Sequence, residues 1–236
     1  MTIEREGHEM QAGESDRSAW AQASAPFRDL DAYHERSHGY DSGWLGRVHH
    51  EISDRLAALA FASAPDARTV LDVGCGTGYL LRSLAASLPH AERFVGIDPA
   101  AGMIEVAERS TEDPRISFTE ATAESLDDAL RPFGGAPDAN TDGFDLIVSG
   151  TSFDHWIDQS AGLEACARAL RPGGALVLCD QFSWLLLPTL MGTRRGKART
   201  PGRATALLMA AGFTNIRWQH VYTSLIRAAV ATAPAA

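Results

Sequence analysis

Cysteine is scarce in this chain, and its spacing excludes most of the chemistry that cysteine supports. The 236 residues include three cysteines, and Cys75, Cys166 and Cys179 form no CxxC pair. Three cysteines are too few, and odd in number, for a disulfide framework, and a zinc site is typically marked by closely spaced pairs, so we expect neither of them, nor any other metal site. The first ten residues, MTIEREGHEM, lack the apolar core of a secretion signal. The expected compartment is therefore the cytoplasm.

Long apolar runs and positive charge are also in short supply. The most apolar stretch, Trp184 to Met191, is too short to span a bilayer, so no membrane segment is expected. With 30 acidic and 21 basic residues the formal net charge is −9. Such a field repels polyanions and disfavours nucleic acid as a partner. The exception is a basic strip, which is either a solvated loop or a clamp for an anionic acceptor and comprises Arg194, Arg195, Lys197, Arg199 and Arg203.

Composition separates an N-terminal arm from a domain. Residues 1–26 mix Glu, Ser, Gln, Ala and Gly without apolar periodicity, which predicts a flexible arm. From Trp44 onward apolar residues recur with the spacing of one helical face, which predicts a helix leading into the domain. We expect residues 27–236 to form a single domain, with residues 27–66 preceding a core of residues 67–236. The oligomeric state is left open by the sequence.

Strand-like and helical patterns alternate through the core. The continuous apolar runs typical of strands in a sheet covered on both faces are Thr69 to Val73, Phe94 to Ile97, Ile116 to Phe118, Phe144 to Ser149 and Ala175 to Cys179. The helical patterns between them are Tyr79 to Leu88, Ala100 to Glu108, Ala123 to Leu130 and Ala161 to Leu170. A further helix and two final strands are predicted at Arg203 to Ala211, Asn215 to His220 and Thr223 to Ala229. This order predicts a doubly wound α/β fold.

A glycine loop follows the first predicted strand. The sequence Val70 to Leu80 reads VLDVGCGTGYL, so a strand enters Gly-x-Gly-x-Gly and a helix follows. Glycines in this context let a ligand approach the backbone closely, although a loop serving only helix–strand packing is the alternative. The second strand ends at Asp98, an acid suited to ribose hydroxyls. A dinucleotide fingerprint needs its third glycine one position later than Gly78, which disfavours a nicotinamide oxidoreductase.

Residues 68 to 180 resemble the class I S-adenosylmethionine-dependent methyltransferases, in the small-molecule branch of UbiE-like and BioC-like enzymes. The resemblance rests on the acid and glycines of DVGCGTG, on Gly96 to Pro99 with Met103, and on the RPGG run at 171–174. It implies a Rossmann-like sheet, mostly parallel with an antiparallel last strand, helices on both faces, and S-adenosylmethionine as cofactor. The residues that it assigns to the cofactor are Tyr40, Asp72, Gly74, Gly76, Gly78, Asp98, Pro99, Met103, Ala123, Glu124 and Ser149.

One residue of the chain departs from the family pattern, a second has an alternative role, and the absence of a motif narrows the class of substrate. Thr122 stands where the family usually has an aspartate for the adenine amino group, so the backbone at Ala123 or the side chain of Glu120 or Glu124 must replace it. Met103, expected on the adenine, has the alternative of an ordinary core residue. No Asn-Pro-Pro-Tyr-like tetrapeptide follows the fourth strand. Its absence argues against the amino-methylation of DNA.

The methyl acceptor is expected at the carboxyl ends of the strands, where ligands bind in open α/β sheets. His155 falls at that edge beside Asp154 and is the candidate general base, with pocket shaping or helix capping as the alternative. Asp180, which has a turn cap as its alternative, is expected to contact the substrate, as are Trp156 and Phe182. The resemblance also makes residues 27–66 a lid over the pocket, in which His38 would contact the substrate.

The function implied is transfer of a methyl group from S-adenosylmethionine to a small organic acceptor through an O-, N- or C-nucleophile, giving S-adenosylhomocysteine. A second possibility, of a different class, is a protein of the same fold that binds this cofactor without transferring the methyl group and acts as a regulator or rearrangement catalyst. Trapping a methyl-labelled product discriminates between the two.

Overall fold

A computed structural model describes residues 43–131, 143–183 and 197–235. The strands are β1 (Thr69–Val73), β2 (Arg93–Asp98), β3 (Ile116–Glu120), β4 (Phe144–Gly150), β5 (Leu170–Gln181), β6 (Thr214–Tyr222) and β7 (Ile226–Thr232). The helices are α1 (Gly43–Ser63), α2 (Tyr79–Ser87), α3 (Ala101–Arg109), α4 (Leu126–Ala129), α5 (Gln159–Ala169) and α6 (Pro201–Ala210), with 3-10 turns at Ala123–Ser125 and Phe153–His155.

The seven strands form one sheet in the order β3-β2-β1-β4-β5-β7-β6. Strands β1 to β5 are parallel, and β7 runs antiparallel between β5 and β6. The predicted mostly parallel sheet with an antiparallel last strand is thereby confirmed. The side chains of β1, β2 and β4 are mostly apolar and are buried along nearly the whole length of each strand. Such strands are stable only in a sheet that is covered on both faces.

Helices cover both faces of the sheet. On one face Leu56 of α1 and Leu81 and Leu84 of α2 pack against buried residues of β1 and β4. On the other, Leu163 of α5 and Leu208 of α6 belong to a second core cluster. At about 25 cal/mol for each Å² of apolar area removed from water, this burial is the main favourable contribution to the fold.

Several element boundaries differ from the sequence prediction, and for two elements the structure shows the reason. The last strand begins at Ile226 rather than at Thr223, because residues 223–225 form the turn between β6 and β7. Thr223 has a φ of +54° and its hydroxyl accepts the N–H of Leu225 at 3.2 Å. The predicted helix from Ala123 to Leu130 is a 3-10 turn followed by a single helical turn. Its start fits a capping box in which the side chains of Thr122 and Ser125 satisfy the first backbone groups.

Because β1, β2, β4 and β5 are parallel, their carboxyl ends meet at one edge of the sheet. The glycine loop (residues 74–78) follows β1, and Asp98 ends β2. Residues 151–158, here named the β4 turn, follow β4 and carry His155. Asp180 lies near the end of β5. The fold therefore brings the predicted site residues of these elements to the same edge.

Candidate active site

The glycine loop adopts a conformation that suits glycine at three positions. Gly74, Gly76 and Gly78 have φ values of +79°, +54° and +76°, a region that other residues adopt only at a cost. The backbone N–H groups of Gly74 and Cys75 donate to the carbonyl of Ile97, at 2.8 and 2.9 Å. These bonds fix the start of the loop against the end of β2.

The three glycines differ in what a side chain would meet. A Cβ at Gly74 would overlap the side chain of Ser152, and one at Gly78 would lie 2.6 Å from the ring of Phe118. A Cβ at Gly76 would meet no atom of the described residues within 4 Å. Gly76 therefore faces open space at the edge of the sheet, whereas Gly74 and Gly78 allow close packing of the protein against itself.

Two carboxylates lie beside this loop, Asp72 buried and Asp98 half-buried. Asp72 is 1% exposed, and its Oδ1 has no hydrogen-bond partner among the residues that the structure describes. Burial, with a smaller contribution from the charge of Asp98, raises the pKa of Asp72 to about 8. Asp98 accepts the N–H of Gly76 at 3.0 Å and that of Ala100 at 2.9 Å. Burial raises the pKa of Asp98 to about 6, although both hydrogen bonds favour its ionised form.

An unpartnered buried carboxylate beside an open glycine loop fits a cationic ligand. A positive group there would recover the cost of ionising Asp72, whereas a phosphate would be repelled by the charge of Asp98. S-adenosylmethionine carries a sulfonium and an ammonium group, so the residues present fit this cofactor. A dinucleotide, with its pyrophosphate, does not fit them.

The remaining predicted cofactor residues lie around the same edge or outside the described ranges. Met103 on α3 and Ala123 are buried, Pro99 is half-buried, and Ser149 at the end of β4 is fully buried. Glu124 accepts the N–H of Asp158 at 3.0 Å through Oε1, and its buried Oε2 has no hydrogen-bond partner within the described ranges. Tyr40 and His38, like the predicted arm and residues 27–42 of the predicted lid, lie outside the described residues.

Ser152 connects the glycine loop to the β4 turn. Its hydroxyl donates to the carbonyl of Val73 at 2.9 Å. A hydroxyl has one proton, so the contact of 2.9 Å with the Ser149 hydroxyl and that of 3.3 Å with the Trp156 indole N–H must be accepted by Ser152. The preceding Thr151 has a φ of +53°, a strained conformation for a β-branched residue. Sequence reasoning did not single out Ser152, since no motif marks a serine at this position.

His155, the predicted base, lies on the β4 turn with its side chain 28% exposed. Its Nε2 is 3.3 Å from Oδ1 of Asp154. The carboxylate of Asp154 is buried and forms an ion pair with the guanidinium of Arg199 through Oδ2. Desolvation lowers the pKa of Arg199 below its ordinary value. The adjacency of Asp154 to His155 was visible in the sequence, but the pairing with Arg199 was not.

The three predicted substrate contacts among the described residues are largely enclosed by protein. Phe182 is 1% exposed and its ring packs against Phe153 and Trp218, at centroid distances of 6.0 and 4.9 Å. Trp156 is 6% exposed and stacks edge-on against Phe153. Asp180 is buried and accepts the N–H groups of Asp154 and Gln181 at 3.0 and 2.6 Å. Trp156 belongs to the β4 turn that carries His155, and Phe182 and Asp180 contact that turn.

Two members of the basic strip, Lys197 and Arg199, bind other parts of the protein rather than forming a solvated loop. Residues 197–199, here named the basic segment, donate to the β4 turn and to the first residue of α5. The ammonium of Lys197 donates to the carbonyls of Trp156 and Ile157, and the N–H of Ala198 donates to Gln159 Oε1 at 2.7 Å. Arg203 is exposed. Arg194 and Arg195 lie outside the described residues.

The three cysteines are buried and reduced. Within the described ranges no group of three or more His, Cys, Asp or Glu side chains is arranged to hold a metal ion. No helix among those same residues is long and apolar enough to cross a membrane.

Comparison with known proteins places this architecture in a family. Residues 70–174 match the family described as a methyltransferase domain. The malonyl-[acyl-carrier protein] O-methyltransferase of Halalkalibacterium halodurans is 31% identical over 151 residues, covering 61% of this chain and 51% of that protein. The demethylmenaquinone methyltransferase of Deinococcus radiodurans is 35% identical over 145 residues, covering 60% and 51%. The chain thus spans about half the length of these relatives.

Solved structures agree on the fold. The N-methyltransferase NodS of Bradyrhizobium japonicum, solved with S-adenosylhomocysteine, matches with a TM-score of 0.64 at 19% identity over 89% of this chain and 98% of that one. Human N-acetylserotonin methyltransferase, solved with S-adenosylmethionine, gives a TM-score of 0.63 at 17% identity over 90% and 59%.

Residues 70–174 of this chain are thus similar to the methyltransferase-domain family, in agreement with the class I S-adenosylmethionine-dependent methyltransferases that the motifs predicted. Its matched relatives lie in the UbiE and BioC branch, as the motifs predicted. The predictions of fold class, family and cofactor are confirmed.

Proposed function

We propose that this protein transfers a methyl group from S-adenosylmethionine to a small organic acceptor that loses a proton on methylation. The observation that carries the proposal is the juxtaposition of two features at one sheet edge. The open glycine loop with the unpartnered Asp72 is suited to a cation, and the β4 turn with His155 is joined to that loop through Ser152.

We assign the cofactor to the glycine-loop side of the edge. Gly76 leaves room for it, Asp72 would neutralise its positive charge, and Asp98 at the end of β2 would accept hydrogen bonds from the ribose. Met103, Ala123 and Glu124 would enclose the adenine. When bound, the cofactor supplies a methyl group on a positively charged sulfur, which leaves as S-adenosylhomocysteine with the electron pair of the broken S–CH₃ bond.

We assign the acceptor to the β4-turn side. His155 would receive the proton of a hydroxyl, phenol or acidic carbon while the nucleophilic atom takes the methyl group. The protein otherwise has to align the acceptor and exclude water. Tyr40 and His38 of the predicted lid would serve the second task. Relatives are named as both O- and C-methyltransferases, so either atom suits the proposal.

Two further properties are proposed with it. The net charge of −9 favours a small molecule over nucleic acid as the substrate. The composition of the chain, with three cysteines and no CxxC pair, favours the cytoplasm.

The test is methyl transfer to a metabolite extract from methyl-labelled S-adenosylmethionine, with wild type and two histidine variants. His155→Ala should lower turnover by about a hundredfold to ten-thousandfold, the usual contribution of a general base, with cofactor affinity nearly unchanged. His90→Ala is the matched control, because it removes an exposed imidazole that is distant from His155 in the sequence. This variant should retain wild-type turnover. Full activity of His155→Ala, or wild-type protein that binds the cofactor but labels nothing, would overturn the proposal.

A further inference from the structure

The carboxylate of Asp154 is shared between two basic side chains. Its Oδ2 pairs with the Arg199 guanidinium, and its Oδ1 lies 3.3 Å from Nε2 of His155. The side chains of Asp154 and Arg199 are each 8% exposed, so the pair is withdrawn from water. The backbone N–H of Asp154 donates to Oδ2 of Asp180 at 3.0 Å. This bond fixes the backbone position from which the side chain with the shared carboxylate extends.

The charge state of this group follows from its partners. A carboxylate buried alone favours the neutral form, but a guanidinium in direct contact keeps it ionised. An ionised carboxylate only accepts hydrogen bonds and repels a lone pair, so a proton on the imidazole nitrogen that faces it is favoured. Because Nε2 lies nearer to Oδ1 of Asp154, the favoured tautomer of neutral His155 has its proton on Nε2 and its lone pair on Nδ1.

We propose that Asp154 and Arg199 are positioning residues for His155, and that their ion pair holds its imidazole in the tautomer that presents Nδ1 as the basic nitrogen. The inference rests on the proposed function, in which His155 receives the acceptor's proton. The role of Asp154 is the one that a buried aspartate plays behind a catalytic histidine in hydrolases. Arg199 keeps that aspartate charged.

The contacts of the basic segment favour this role over an anion clamp. The guanidinium of Arg199 already has a carboxylate partner, and Lys197 and Ala198 donate to the same stretch of chain. Every one of these bonds runs from the basic segment to residues 154–159. The segment thus holds the β4 turn in one position. A buried ion pair contributes little net stability by itself, because desolvation offsets the attraction.

The tautomer can be read directly by NMR of protein labelled with ¹⁵N-histidine, with the His155 signals assigned by their loss in His155→Gln. At a pH where the ring is neutral, wild type should show the Nε2–H pattern. Arg199→Gln and Asp154→Ala should lose that preference, and Arg199→Lys should retain it. An Nδ1–H pattern in wild type would overturn the inference whether or not Arg199→Gln and Asp154→Ala fold, as would an unchanged pattern in both of these variants.

Kinetics supply the second readout, with another member of the basic strip as control. Arg199→Gln should lower turnover by at least about tenfold, as part of the general-base contribution is lost, with cofactor affinity within about twofold of wild type. Arg203→Gln removes the same charge from an exposed position and should leave turnover unchanged. Equal effects of the two substitutions would mean that only the net charge matters, and would overturn the inference.

The two proposals fail in different ways. If His155→Ala keeps full turnover while the tautomer is Nε2–H and depends on Arg199, the proposed function is wrong and the assignment of the ion pair stands. If His155→Ala is inactive while wild type shows Nδ1–H, the proposed function stands and the positioning inference is wrong.

Discussion

The glycine loop and the β4 turn lie at the same edge of the sheet and are held by different kinds of contact. The loop is fixed by its own backbone N–H groups, from Gly74 and Cys75 to Ile97 and from Gly76 to Asp98. The β4 turn is fixed largely by side chains from elsewhere in the chain. Arg199 reaches it from 45 positions away.

This difference explains why one region leaves a motif in the sequence and the other does not. Backbone contacts with positive φ values need glycine at fixed spacing, so the loop is readable from a short segment. A turn held by remote side chains can use many residue types at many separations. A cofactor common to a family thus has a recognisable site, while the acceptor side is specific to each chain.

The largest expected effect comes from a substitution in the glycine loop that leaves the β4 turn unchanged. Gly76→Val should lower cofactor affinity by at least about a hundredfold, because the open space that Gly76 faces is where the ligand would lie. The positive φ adds strain of about 1 to 2 kcal/mol. Calorimetric titration with S-adenosylhomocysteine measures the first effect, and thermal melting measures the second.

A glycine at the opposite edge of the sheet provides the matched control. Gly173 has a φ of +76° and equally open surroundings, so Gly173→Val imposes similar strain without reaching the loop. We expect a comparable loss of melting temperature, about 2 to 4 °C for each kcal/mol in a chain of this size, and unchanged cofactor affinity. Equal affinities for the two variants would remove Gly76 from the cofactor site.

The second prediction concerns the charge of Asp72. It tests the property that distinguishes the glycine loop from the β4 turn, namely its proposed preference for a cation. Its folded pKa of about 8 lies above the ordinary value of 3.8. The unliganded protein should therefore lose stability as pH rises from about 4 to about 8, since ionisation of the buried acid is disfavoured. Binding a cation favours the ionised form, so cofactor affinity should increase over the upper part of that range.

Asp72→Asn tests both halves of this prediction. The variant should lower cofactor affinity by about 10- to 100-fold, as loss of a charged hydrogen-bonding partner does, and flatten its pH dependence. The unliganded variant should melt higher than wild type at pH 9. Calorimetry across pH 6 to 9 with melting curves measures both quantities, and a wild-type affinity independent of pH would contradict the raised pKa.

The fold was predictable where apolar runs and glycines decide the structure. Strand β1 has the predicted bounds, and β2 and β4 each differ from them by a residue or so at their ends. The last strand was misplaced because Thr223 adopts a positive φ in the hairpin turn. A threonine carries no sequence signal for that conformation, which its neighbours impose.

The site was predictable to a different degree on its two sides. Asp72, Gly76 and Asp98 lie together as the motif implies. Burial of Phe182 in an aromatic cluster depends on Trp218 from β6, which local patterns do not reveal. The partnership of Arg199 with Asp154 likewise depends on tertiary packing, so the basic strip could not be interpreted from charge alone.

The smallest expected effect tests the contact that joins the two regions. Ser152→Ala leaves the carbonyl of Val73 and the indole N–H of Trp156 without their hydroxyl partner, which should cost about 1 to 3 kcal/mol of stability. Turnover should fall a few-fold while cofactor affinity stays near wild type, because the glycine loop keeps its own backbone bonds. Ser87→Ala, which removes an exposed hydroxyl bonded within α2, should change neither stability nor turnover appreciably.

A double-mutant cycle then isolates the contact between the loop and the turn. Gly74→Ala places a Cβ against the Ser152 side chain and adds strain at a φ of +79°. In a Ser152→Gly background the collision is gone but the strain remains. Gly74→Ala should therefore destabilise that background less than it destabilises wild type, with a coupling energy of about 0.5 to 3 kcal/mol by chemical denaturation. If Gly74→Ala costs the same in both backgrounds, Ser152 does not pack on the loop, and the cofactor and acceptor sides are independent.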